Sequence, residues 1–146
     1  MSGNRAAVQP AEVELAALRA AAFEAMDNAY APYSGFRVGC ALRGADGSVH
    51  PGCNVENAAY PAGICAERGA VLGAVARGIR DFDLLVLATD GDEPTPPCGQ
   101  CRQVLVEFAP ALPIVSYTRA GRSGRWTLAD LLPHPFTPLS LSQKHE

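Results

Sequence analysis

Beyond residue 60 the chain alternates helical patterns with short apolar runs, and this alternation restricts the fold more than any other feature. Residues 63–78 read as a buried helix stopped by Gly78, 84–89 as a strand, 99–108 as a helix and 113–117 as a strand. The run from Leu84 to Thr89 is apolar with little alternation, as expected for a strand covered on both faces. Upstream, residues 11–30 carry Leu15, Leu18, Ala22 and Met26 near helical spacing, with Glu12 and Glu14 in the first turn. Pro32 closes that helix. Residues 36–43 and 48–55 read as two hairpin strands around a turn at 44–47, and Pro51 places the second at an edge or a bulge. Residues 119–125 read as a Gly/Arg turn, 126–128 as a last strand and 128–132 as a short helix. The order predicts an α/β sandwich with a mixed sheet. With 146 residues, 48% of them apolar and 18% charged, the chain can bury one core. A single domain is expected over 11–138, between tails at 1–10 and 139–146.

The charge narrows the function. Twelve basic and 15 acidic residues leave a formal net charge of −3, which gives no field for a nucleic-acid strand or an anionic membrane. No apolar run approaches the ~20 residues of a membrane span. The first residues lack the apolar stretch of a secretory signal. Five cysteines are an odd number, and nothing else suggests a secreted disulfide scaffold. An intracellular, cytoplasmic chain is expected, with its thiols serving as metal ligands, redox groups or buried apolar residues.

Two segments carry chemistry. Pro97-Cys98-Gly-Gln-Cys101 puts two thiols at the start of one predicted helix, and Cys65-Ala66-Glu67 puts a thiol and a carboxylate at the start of another. A Cys-x-Glu segment followed by Pro-Cys-x-x-Cys marks zinc-dependent nucleobase deaminases. Three thiolates leave one zinc position open, which is a catalytic rather than a structural arrangement. Helix N-termini favour the thiolate, and Arg68 and Arg102 are placed to offset the surplus negative charge. Other readings stay open here. Cys98 and Cys101 alone would suit a redox pair, Cys53 as a fourth ligand would make a closed structural site, and Glu67 alone would suit a solvated helix surface.

Five segments in order make the chain resemble cytidine deaminases of the small, homotetrameric type. They are Ala31-Pro-Tyr-Ser-Gly-Phe-Arg-Val-Gly-Cys-Ala-Leu42, Gly52-Cys-Asn-Val-Glu-Asn-Ala-Ala-Tyr-Pro61, Gly63-Ile-Cys-Ala-Glu-Arg68, Pro97-Cys-Gly-Gln-Cys-Arg-Gln103 and Leu131-Leu-Pro-His-Pro-Phe136. The resemblance implies a three-layer α/β/α sandwich around a mixed, roughly five-stranded sheet. It implies one Zn²⁺ on Cys65, Cys98 and Cys101, with Glu67 as proton shuttle and Arg68 neutralising thiolate charge. Asn54 and Glu56 match the pair that holds the ribose hydroxyls, and Phe36 an aromatic against the base. The backbone at Ala66 and Pro97 matches positions that hydrogen-bond the base. Tyr60 and Phe136 match residues near subunit interfaces, where a neighbour completes each pocket. The implied reaction is hydrolytic deamination of cytidine and deoxycytidine, by attack of zinc-bound hydroxide on C4 with release of ammonia. Blasticidin-type deaminases share the zinc segments but lack the Asn-x-Glu pair. The chain departs from the family pattern at Ala59, Gly69 and Cys40, none of which removes a proposed catalytic group.

Overall fold

Strands β1 (Val38–Gly44), β2 (Val49–Cys53), β3 (Phe82–Thr89), β4 (Pro113–Thr118) and β5 (Ser123–Thr127) form one sheet in the order β2-β1-β3-β4-β5. This computed structural model describes residues 10–142, so residues 1–9 and 143–146 of the two expected tails lie outside the described residues. Only β3 and β4 run parallel, because the helix α3 (Gly99–Phe108) carries the chain back between them. The other neighbours are antiparallel, which makes the sheet mixed, as expected. β2 lies at an edge, where Pro51 costs no ladder bond.

Side-chain parity builds the layers. Leu84, Val86 and Ala88 of β3 face helix α1 (Glu12–Asp27), where they meet Leu15, Leu18, Ala22 and Met26. Leu85 and Leu87 face the opposite way, together with Cys40 and Leu42 of β1. They pack under α2 (Ala66–Ala76) and α3, against Ala70, Val71 and Leu105. Helices on both faces explain the apolar run at 84–89. Two further short helices, α4 (Leu128–Leu131) and α5 (Pro138–Leu141), close the described chain.

Element ends differ from the sequence expectation where tertiary contacts compete. Helix α1 stops at Asp27, three residues short of Tyr30, because the Tyr30 N–H donates to the Asn54 carbonyl and its own carbonyl accepts from Glu56. β1 starts at Val38 instead of Phe36, because the Asn54 side chain takes the Phe36 carbonyl and the Val38 N–H. Helix α2 starts only at Ala66, since Ile64 pairs with Val55 in an isolated bridge. The expected turn at 119–125 instead supplies most of β5, whose half-paired edge tolerates polar residues.

Two glycines let helices approach the sheet. A Cβ on Gly39 would stand 2.2 Å from the Ala22 carbonyl oxygen of α1, and one on Gly52 would stand 2.2 Å from the Ala66 oxygen of α2. Both obstacles are backbone, so no side chain can rotate away. Gly52→Ala is expected to destabilise the fold by about 3 kcal/mol, the upper end of overpacking costs, and to displace the first turn of α2. Urea unfolding checks this, and an unchanged midpoint would contradict it.

Candidate active site

Each chemical helix begins directly after a cysteine. Cys65 is the N-cap of α2 and Cys98 the N-cap of α3, and both have extended backbone angles. Their carbonyls accept the first helical bonds, from Gly69 and Arg102. Neither thiol caps its own helix, so both side chains are free to converge. Cys101, one turn into α3, is fully buried.

The three Sγ atoms lie within 4.8 Å of one another. Cys98 and Cys101 are separated by 3.5 Å, and Cys65 and Cys98 by 3.8 Å. Thiolates bound to one zinc at about 2.3 Å span tetrahedral edges of about 3.8 Å. The donor set and its spacing therefore fit a single Zn²⁺ and leave one corner of the tetrahedron open. The Arg68 guanidinium donates to Cys65 Sγ at 3.5 Å. The neighbouring Cys101 thiol, and then Arg68, hold the Cys65 thiol well below its ordinary value. Hydrogen bonding with Cys65 and burial push Cys101 the opposite way.

Arg102 does not share the role of Arg68. Its Nε donates to the Pro97 carbonyl at 2.7 Å and its Nη1 to the Leu131 carbonyl at 3.0 Å, so it braces the loop before Cys98 instead. Cys53 is not among the clustered thiols, which removes the closed four-ligand reading and leaves a three-thiol donor set in place of an isolated redox pair. Cys40 is buried under α2, and burial pushes its thiol well up. Cys53→Ser is expected to keep about one zinc per chain by metal analysis. Loss of zinc from that variant would restore the four-ligand site.

Glu67 sits in the first turn of α2 with 5% of its surface exposed. Cys101 Sγ donates to its Oε2 at 3.7 Å, and burial raises its carboxyl above the ordinary range. It faces a cavity of about 270 Å³ that Phe36, Asn54, Glu56, Cys65, Ala66 and Cys98 also line.

The polar pair at 54 and 56 is already partly engaged. Asn54 Oδ1 accepts from the Val38 N–H at 2.8 Å, and its Nδ2 donates to the Phe36 carbonyl at 2.8 Å. Glu56 Oε1 accepts from the N–H groups of Tyr33 and Ser34, and its Oε2 from the Ser34 hydroxyl at 2.5 Å. These bonds hold the carboxyl of Glu56 below its ordinary value, the Ser34 hydroxyl contributing most. Both side chains thus shape the cavity wall and keep spare hydrogen-bonding capacity. Pro97 is buried, and Thr95 and Pro96 line the cavity in its stead. Tyr60 and Phe136 lie outside the cavity and are 76% and 58% exposed. Tyr60 meets Tyr33 edge-on at 5.9 Å beside a shallow hollow bounded by Glu56.

The sequence reading passed over Asp90. Its carboxylate accepts from Arg37 Nε at 2.8 Å and from Arg119 Nε at 3.0 Å, and Arg119 also reaches Asp27. This ties the segment bearing Phe36 to the loop that leads to Pro96 and Cys98. The four charges are scattered along the sequence from Asp27 to Arg119, so only the fold reveals the network.

The description cytidine and deoxycytidylate deaminase zinc-binding region belongs to a family model that matches residues 13–116. A cytidine deaminase of Sporosarcina psychrophila is 43% identical over 124 residues, covering 84% of this chain and 91% of the relative. One from Halalkalibacterium halodurans is 44% identical over 117 residues, covering 80% and 89%. The crystal structure of cytidine deaminase from Burkholderia pseudomallei superposes with a TM-score of 0.80 at 44% identity, covering 83% of this chain and 98% of that one.

Proposed function

The chain belongs to the cytidine and deoxycytidylate deaminase family, and on that premise we propose that it hydrolyses free cytidine and deoxycytidine to uridine and deoxyuridine with release of ammonia. The observation that carries this reading is the buried Glu67 carboxylate beside the three-thiol cluster, facing one cavity. Zinc, when held by Cys65, Cys98 and Cys101, supplies a Lewis acid that brings the pKa of a bound water towards about 7.

Glu67 takes one proton from the attacking water and places it on ring N3. The water oxygen joins C4, the C4–N bond breaks, and Glu67 passes a second proton to the departing amine. Burial suits the carboxyl to this exchange, because it brings the protonated and ionised forms closer in energy. Arg68 offsets part of the thiolate charge through Cys65. Phe36 packs against the base. The N–H of Ala66, in the first turn of α2 and without an intrahelical partner, is available to the base. Pro97 does not line the cavity and its carbonyl accepts from Arg102, so it is left out of the base contacts. Asn54 and Glu56 take the sugar hydroxyls with the capacity their backbone bonds leave free, so a ligand without a sugar loses that anchor.

We infer a homotetramer in which Tyr60 and Phe136 complete neighbouring pockets. The exposure of both, with Tyr33 and Val55 near Tyr60 51% and 48% exposed, supports this. Light scattering on the purified protein tests it against a monomer. The formal net charge of −3 favours a free nucleoside over a strand. No described helix is long and apolar enough to cross a membrane, and cytoplasmic pyrimidine salvage is the setting we infer.

The decisive experiment is a panel followed by ultraviolet absorbance: cytidine, deoxycytidine, cytosine, CMP, adenosine, guanosine and blasticidin S. Turnover is expected for the first two. Preference for blasticidin S would transfer the chain to the second reading.

A further inference from the structure

Thr89 closes β3 with 1% of its surface exposed, and its hydroxyl has no hydrogen-bond partner among the described residues. It lies two residues beyond Leu87, on the face of the sheet under α2 and α3, and both residues line the cavity. Val38, directly opposite on β1, lines it too. The other hydroxyls on this face are satisfied. Ser116, opposite Leu87 on β4, accepts from the Thr95 N–H at 3.2 Å, and Thr118, opposite Thr89, accepts from the Arg122 N–H at 3.1 Å. A buried hydroxyl without a partner is costly, so its persistence in a cavity points to a partner that arrives from outside.

Resting on the reading above, we propose that Thr89 Oγ1 is a further substrate-binding group, hydrogen-bonded to a polar atom on the edge of the pyrimidine ring. The opposite residue Val38 and the nearby Phe36 supply apolar surface of the kind a flat ring covers. The sugar end is served by Asn54 and Glu56, and the reacting end by Glu67 and the thiols. To the Ala66 N–H, Thr89 adds a side-chain hydroxyl for the ring itself.

Thr89→Val keeps the shape and removes the hydroxyl. It is expected to lower kcat/KM about tenfold, the size of one lost hydrogen bond, mainly through KM. The same loss is expected on cytidine and deoxycytidine, with zinc content unchanged. Thermal stability is expected to hold or rise, because the free protein loses no bond. Thr89→Ser is expected to restore kcat/KM to near the wild-type value. Unchanged kcat/KM in Thr89→Val, or reduced stability alone, would overturn the assignment. So would a loss confined to cytidine, which would place the bond on the ribose 2′-hydroxyl. A wild-type enzyme inactive on both nucleosides would instead overturn the deaminase reading on which the proposal stands.

Discussion

Glu67→Gln is expected to leave a folded, zinc-loaded protein whose kcat on cytidine falls by about 10²–10⁴-fold, the range of general acid–base catalysis. Glutamine matches glutamate in shape, so the surroundings of a side chain 5% exposed stay filled. It cannot accept and return a proton, and both proposed transfers pass through this one group. Substrate binding is expected to survive, because the sugar anchors proposed at Asn54 and Glu56 are untouched. Absorbance kinetics, zinc content and a melting curve on the same preparation separate the alternatives. Wild-type turnover would remove Glu67 from the mechanism. Loss of zinc or of folding would make its role structural. Glu67→Asp sharpens the result, because it keeps the proton chemistry but withdraws the carboxyl by one methylene.

Much of this site was legible because its determinants are local. Cys65 and Cys98 stand at helix starts, and an N-cap position is set by the residues around it. The βαβ link from β3 to β4 follows from a helix between two apolar runs, so the parallel pair could be read as well. What escaped depended on direction or distance. Arg102 follows Cys101 in sequence, but one helical step turns a side chain by about 100°, and it meets Pro97 and Leu131 instead of the thiols. Asn54 sits in a plausible strand, yet its amide replaces ladder bonds and shortens both β1 and β2. Thr89 read as the end of an apolar run. The signal that marks it was present all the same, since strand parity puts it on the face of Leu85 and Leu87.

Cys101→Ser is expected to be the most damaging single change to the centre. Cys101 is fully buried, 3.5 Å from Cys98 and 3.7 Å from Glu67. Two thiolates this close repel by about 5 kcal/mol at an effective dielectric constant near 20, so the metal is what makes the triply ionised cluster tenable. A serine hydroxyl stays protonated at neutral pH and is a poor substitute for a thiolate ligand. The variant is expected to retain well under one zinc per chain after dialysis against a chelator and to show no turnover above background. Its melting temperature should fall to that of the chelator-stripped wild type, since a ligand present at about a thousand times its dissociation constant contributes about 4 kcal/mol. Readdition of zinc is expected to restore the stripped wild type but not the variant. A stoichiometric, active Cys101→Ser enzyme would take Cys101 out of the ligand set and with it the three-thiol centre.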